Sequence, residues 1–366
     1  MVGTAGRGDA VTVVMTRSRQ ILAAVGVMVV AVTTTLTNGC SGESSDALAD
    51  AIRARAAELV VEAEQRGDLT VVGQDGWLFF APELRHLSTT SYWGEAAAEV
   101  SQARNRDAVD PLPAILDFKR QLDLLNIELL VVPVPLKAVI YPDHLPGELS
   151  LPSPIPRLDA ADAGFYAVLR DNGVEVLDLT RALLDNRLHP EGPVYCRTDT
   201  HWSGVGCVVA GQQIAGVVRE RPWFTALETD AFPTRWYTAS ITGDLAPDGT
   251  PEDLRLREVG SADRPVPDAD DSPIVLLGDS HNLVFHVGDD MHVSGAGLAD
   301  QLAVELGMPV DVVAVRGAGA TPARVNLLRR VQRDPGYWHR KRLVIWCFSA
   351  REFTQSDGWS VVPITP

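Results

Sequence analysis

From Asp110 onward the chain alternates strand-length apolar runs with helical segments, and this pattern constrains its fold more than anything else in it. The runs are Ile127 to Val134, Val174 to Leu179, Ile274 to Leu277, Val310 to Val315 and Leu343 to Phe348. Between them, Pro111 to Asn126, Arg157 to Asn172, Ser203 to Arg219, Gly297 to Leu306 and Pro322 to Arg333 have helical periodicity. Ile127 to Val134 is apolar without a break, as in a strand covered on both faces. Such alternation implies an α/β fold, a parallel sheet with helices on both faces.

Before this unit, Asp46 to Gln65 reads as a helix rich in Ala, Glu and Arg, taken as a stalk over residues 41–68. Leu69 to Val72, the Gly73-Gln74-Asp75-Gly76 turn and Trp77 to Phe80 follow as short extended pieces. Residues 69–366 form the expected domain. Trp223 to Asp271, rich in Asp, Pro and Gly, reads as an irregular insertion or lid beside the site.

Arg17 and Arg19 precede the apolar run Ile21 to Val32, the order of an export signal. Residues 1–40 are therefore expected to act as a signal peptide or membrane anchor, leaving the domain exported, in the periplasm or cell envelope. Cys40 follows Leu36-Thr37-Asn38-Gly39, which resembles a lipoprotein cleavage site; cleavage elsewhere and an uncleaved anchor stay open. Cys196, Cys207 and Cys347 remain, so one disulfide is open to an oxidising compartment, with no pair favoured. The net charge of −16 argues against a nucleic-acid partner. No spacing suggests a zinc site, and neither metal nor cofactor is expected.

Two segments carry the chemistry. Asp199-Thr200-His201-Trp202 offers a carboxylate and an imidazole one residue apart. Gly278-Asp279-Ser280-His281-Asn282 places a hydroxyl in a turn just past an apolar run. In parallel sheets, sites gather at the carboxyl ends of strands. A Ser hydroxyl needs a neutral imidazole to take its proton, and the imidazole needs an acceptor to fix its tautomer. Together the segments supply nucleophile, base and orienter. Asp279, adjacent to Ser280, reads as structural. His281 competes with His201 as base, and His201 is favoured by its neighbouring carboxylate.

This arrangement resembles the alginate O-acetyltransferase J and X proteins, SGNH-hydrolase-like enzymes in which the Asp-His segment precedes the Ser. Gly76-Trp77-Leu78-Phe79-Phe80 with Glu83-Leu84, Val132-Pro133-Val134-Pro135-x-Lys137, Tyr141-Pro142, Gly173 to Leu179, Tyr195 to Asp199 and Ile345-Trp346 are similar to the family's other motifs, over about residues 69–353. The chain ends near residue 366, without the carbohydrate-binding module that follows the X catalytic domain, so the J type is the closer resemblance.

The resemblance implies a flavodoxin-like SGNH fold and acetyl transfer to an exported polysaccharide, with a membrane-bound O-acyltransferase supplying acetyl. It assigns Ser280 as nucleophile, His201 as base and Asp199 as orienter. By position, the Ser280 N–H and the Gly317 and Gly319 turn are the oxyanion candidates. Trp202, Arg316 and Arg351 are the candidates for sugar contact. An esterase with the same triad, or a non-catalytic polysaccharide-binding assembly protein, is the alternative function.

Overall fold

The computed structural model describes residues 39–365, apart from residues 148, 247, 261–265 and 267–268. The expected export segment and the side chain of Cys40 lie outside the described residues. Among the described residues, no helix is long and apolar enough to cross a membrane.

Helix α1 (Gly39–Arg66) leads into the antiparallel pair β1 (Thr70–Val72) and β2 (Leu78–Phe80), then α2 (Ala81–Leu87). The segment read as a stalk is packed onto the domain. Ile52, Ala56, Leu59 and Ala63 are buried, and Arg55 Nε donates to the Pro146 carbonyl at 3.0 Å. Its inward stripe is spaced three and four apart, but half of it is alanine, a weak apolar signal in an otherwise charged helix.

The apolar runs become one five-stranded parallel sheet. Its strands are β3 (Glu128–Val134), β4 (Glu175–Val176), β7 (Ile274–Gly278), β8 (Asp311–Ala314) and β9 (Leu343–Ser349), in the spatial order β4-β3-β9-β7-β8. Strand β9 is last in sequence and central in space. Leu130, Ile345 and Leu276 stand in one row across β3, β9 and β7, and all three are fully buried. Both faces of β9 are covered, which is why every residue from Leu343 to Phe348 is apolar.

The expected edge strand over 174–179 shortens to two residues. Leu177 N–H still donates to the Val131 carbonyl, but Asp178 leaves the ladder to accept the Thr180 N–H and pair with Arg157. Helices α3 (Pro111–Leu124), α4 (Ala160–Asp171), α5 (Gly204–Arg219), α6 (Leu298–Leu306) and α7 (Thr321–Arg333) cover the two faces. Asp110 caps α3 and Ser203 caps α5, each accepting N–H groups of the first turn.

The expected irregular insertion over 223–271 is instead built around a hairpin. Strands β5 (Thr234–Thr242) and β6 (Pro251–Val259) pair antiparallel from Thr234↔Val259 to Thr242↔Pro251. Strand β5 is exposed along most of its length, and its apolar alternation is the short set Tyr237, Ala239 and Ile241, of which Ile241 alone is buried. Only β6 turns a regular set inward, Glu252, Leu254 and Leu256. The disulfide left open does not form either: Cys196, Cys207 and Cys347 are separate buried thiols.

Candidate active site

Ser280 sits where the sequence places it, two residues past the end of β7. The turn demands glycine at 278, because a Cβ there would lie 1.7 Å from the Cys347 carbonyl oxygen. Asp279 fastens the turn to the neighbouring strand. One of its oxygens accepts the His281 N–H at 2.9 Å, the other the Ser349 N–H of β9 at 2.7 Å. Asn282 Nδ2 donates to the Cys347 carbonyl at 2.7 Å. Ser280 is thus stitched to the central strand before it meets any other site residue.

The Asp199 segment is fixed from three sides. Glu252 on β6 accepts the N–H groups of Arg197 and Thr198, both at 2.9 Å, and the Thr198 hydroxyl at 3.0 Å. Asp244, just after β5, accepts the Thr200 N–H at 2.7 Å and the Thr200 hydroxyl at 2.6 Å. Gly243 lies against the Thr198 carbonyl, where a Cβ would come within 2.1 Å. From below, the buried Lys137 ammonium donates to the carbonyls of Leu78 and Arg197.

These supports bring the two segments together. His201 Nε2 lies 2.7 Å from Ser280 Oγ, and His201 Nδ1 lies 2.6 Å from Asp199 Oδ1. The second carboxylate oxygen, Oδ2, accepts the Asp244 N–H at 3.0 Å and faces His292 Nε2 at 2.9 Å. Asp199, His201 and Ser280 are all at most 5 % exposed. Burial alone would push the Asp199 carboxyl up. The His201 charge and the hydrogen bonds from His201 and His292 outweigh it and hold the group well below the usual carboxylate range. Burial likewise works against charge on His201, but the Asp199 charge and hydrogen bond prevail and raise its pKa. The arrangement can move a proton from a hydroxyl to a ring whose tautomer is fixed.

His281 is placed differently. Its Nδ1 lies 3.2 Å from Asp279 Oδ1, and burial lowers its pKa. It packs edge-on to His201, the ring centroids 4.8 Å apart, and makes no hydrogen bond to Ser280.

The remaining candidates divide. Trp202 is fully buried and its indole N–H donates to the His281 carbonyl at 3.0 Å, so it is a strut between the two segments and offers no face to a sugar. Arg316 is paired with Asp290 at 2.5 Å, and so pins the loop that carries His292. Arg351 lies over the Phe80 ring, with its Nε buried and without a hydrogen-bond partner. Its charge acts on Asp279, His281 and Glu83. Gly319 is not a free oxyanion donor, because its N–H is given to Glu352 Oε2 at 3.2 Å. Gly317 is an exposed turn glycine with φ +67°.

Sequence reasoning missed His292, Asp244, Glu252 and the role of Lys137. One signal was present for the first. The chain has eight histidines, and His201, His281 and His292 meet here. Asp199, His201 and Asp244 each bring one ligand atom within 4.8 Å of the others, but all three already take part in the hydrogen bonds described above.

Comparison with known proteins gives this geometry a context. A family model described as an SGNH hydrolase-like domain, acetyltransferase AlgX, matches residues 70–350. The "Probable alginate O-acetylase AlgJ" of Pseudomonas aeruginosa is 27% identical over 150 residues, 41% of this chain and 33% of that protein. The Pseudomonas putida protein of the same name is 26% identical over 305 residues, 79% of this chain and 71% of that protein. The chain thus spans about a third of the first relative's length and over two thirds of the second's. Among solved structures, the O-acetyltransferase domain of Pseudomonas putida AlgJ superposes with a TM-score of 0.56 at 24% identity. That match covers 78% of this chain and 92% of that one. Pseudomonas aeruginosa AlgX superposes with a TM-score of 0.54 at 18% identity, covering 76% and 61%. The two superpositions establish a shared fold.

Proposed function

Because the chain belongs to the SGNH hydrolase-like acetyltransferase family typified by AlgX, we propose that it is an O-acetyltransferase that modifies hydroxyls of an exported polysaccharide through a Ser280 acetyl-enzyme. The observation that carries this reading is the unbroken line from Ser280 Oγ through His201 to Asp199, with steps of 2.7 and 2.6 Å.

His201 Nε2 takes the Ser280 proton as Oγ attacks the acetyl carbonyl of the donor. Asp199 holds the Nδ1–H and stabilises the imidazolium. The Ser280 N–H is the donor offered to the oxyanion; losing one such donor typically costs about 3–4 kcal/mol of barrier. The imidazolium then protonates the leaving group, and the acetyl stays on Oγ. In the second half, His201 removes the proton of a sugar hydroxyl. That oxygen attacks the acetyl-enzyme, the sugar ester forms, and Ser280 recovers its proton. Arg351, a cation near the site that faces Glu352 at 3.6 Å, is suited to the carboxylate of an acidic sugar.

The AlgJ relatives are named for alginate, and an acidic polysaccharide is the acceptor proposed here. The acetyl donor is assigned to a membrane-bound O-acyltransferase, and the N-terminal segment to export or anchoring. The test is incubation with an activated acetyl ester, with and without oligosaccharide. Acetylated sugar that disappears in Ser280→Ala supports the reading. Free acetate alone, whatever sugar is offered, replaces it with an esterase. Unchanged polymer acetylation by Ser280→Ala in cells replaces it with a binding role.

A further inference from the structure

The stretch from Arg324 to Arg342 inverts the charge of the chain. It holds seven Lys and Arg against the single acid Asp334, in a protein of net charge −16. Four of the seven are committed within the fold. Arg324 is buried over the Trp346 ring, Arg330 pairs with Asp270 and Asp311, Arg340 with Asp271 and Asp334, and Lys341 with Asp311. Arg329, Arg333 and Arg342 are exposed and have no carboxylate partner among the described residues; Arg329 donates to Asn326 Oδ1, and His339 is exposed and shares a groove with Arg342.

Arg342, Lys341 and His339 border a groove of about 480 Å³. Val331 and the ring of Trp338 form apolar lining, while Asn126, Gln332, His339 and Arg342 supply the polar groups. The groove lies at the starts of β3 and β9, where Glu128 and Leu343 are paired. Ser349, at the other end of β9, holds the Ser280 turn through Asp279. The length of β9, about 20 Å at ~3.3 Å per residue, therefore separates the groove from the site.

Planar amides, a guanidinium and an imidazole around one aromatic ring match a polyol that carries carboxylates. The ring offers a face to a sugar, and Arg342 a two-pronged donor to a carboxylate. A concave groove with polar groups among its lining suits a chain segment of a polymer rather than a flat bilayer. We propose that this groove is a second binding site for an anionic polysaccharide, remote from Ser280. It holds one stretch of the polymer and so raises the effective concentration of other stretches at the site. The proposal rests on the polysaccharide reading given above.

The test uses the full chain with a long polyuronate, a short uronate oligomer and a neutral oligosaccharide. Affinity is measured in a Ser280→Ala background, and acetyl transfer in the active protein. Arg342→Glu and His339→Glu are exposed changes that leave the core untouched. Each is expected to weaken long-polyuronate binding about tenfold, the effect of losing one hydrogen-bond donor and setting a carboxylate against an anionic polymer. Each is also expected to lower the ratio of kcat/KM for long over short acceptor by a similar factor. Added salt weakens wild-type binding in the same direction. Unchanged polymer affinity in both variants overturns the proposal. So does an equal loss on short and long acceptors, because a remote holding site acts only on polymer. Loss of binding to phosphatidylglycerol vesicles with polyuronate affinity intact overturns it in favour of a membrane face. If wild-type protein binds polyuronate through Arg342 but acetylates no sugar, the transferase reading fails and the groove stands.

Discussion

His292 Nε2 lies 2.9 Å from Oδ2 of Asp199, the carboxylate oxygen that His201 does not use. A buried carboxylate is thereby shared by two imidazoles. His292 reaches it from a positive-φ backbone outside the left-handed helical well (φ +74°, ψ −100°), a conformation that costs a non-glycine residue about 1–3 kcal/mol. The Arg316–Asp290 ion pair two residues away helps to hold that loop in place.

Removing a hydrogen bond to a buried charge costs about 1.5–3 kcal/mol. His292→Ala is therefore expected to lower kcat/KM by roughly ten- to a hundredfold. His292→Gln, which keeps a donor, should recover part of the loss. Steady-state rates with an activated acetyl ester measure this, and wild-type rates in His292→Ala would show the second imidazole to be idle.

The pH profile should carry the mark of the His201–Asp199 pair. His201 must be neutral to accept the Ser280 proton. Its pKa is raised, because the Asp199 carboxylate outweighs burial, with Asp244 and Asp279 adding to it. The acid limb of kcat/KM is thus expected above about 6.5, the ordinary histidine value. Asp199→Asn should move that limb to lower pH and reduce kcat by a factor on the order of 10⁴.

The same shifts fix a stability window. The depressed Asp199 contributes above about pH 3.9 and the raised His201 below about 6.5, so the pair stabilises most between those values. Urea unfolding of wild type and Asp199→Asn should differ most in that range and less at alkaline pH.

Glu252 holds two backbone N–H groups and one hydroxyl of the segment leading to Asp199. Glu252→Ala leaves these buried donors without a partner, at about 1–3 kcal/mol each. A fall in unfolding free energy of several kcal/mol is expected, with kcat dropping before the fold is lost. Glu252→Gln should recover part of both.

Trp202 joins the two catalytic segments through the His281 carbonyl. Trp202→Phe loses that bond and some packing and should cost about 1–3 kcal/mol of stability; Trp202→Ala, about 3–5 kcal/mol. KM for the acceptor should change less than kcat, because the indole is enclosed. A selective rise in KM would put the ring in contact with sugar after all.

The strands legible in sequence were those whose faces are both covered. Residues 343–348 can be read because β9 sits between β3 and β7 with no solvent side. Strand β5 is harder to read, because only Tyr237, Ala239 and Ile241 alternate among side chains free to be polar, and its pairing with β6 is decided between backbones. Likewise half of the buried stripe of α1 is alanine, so it reads as a solvated helix until its partner surface is known.

Sequence alone determined the alternating α/β order, the Ser280 turn after a buried strand, and the Asp199–His201 pair before a capped helix, because each is written in neighbouring residues. Only the tertiary structure decided that the segment carrying Asp199 is held by Glu252 and Asp244 from a hairpin, that His292 is its second imidazole, and that Arg316 pairs with Asp290 while Arg351 keeps a buried Nε without a partner. Those contacts join residues tens of positions apart, and a side chain's partner across such a distance is set by how the backbone packs, which no local pattern of residues encodes.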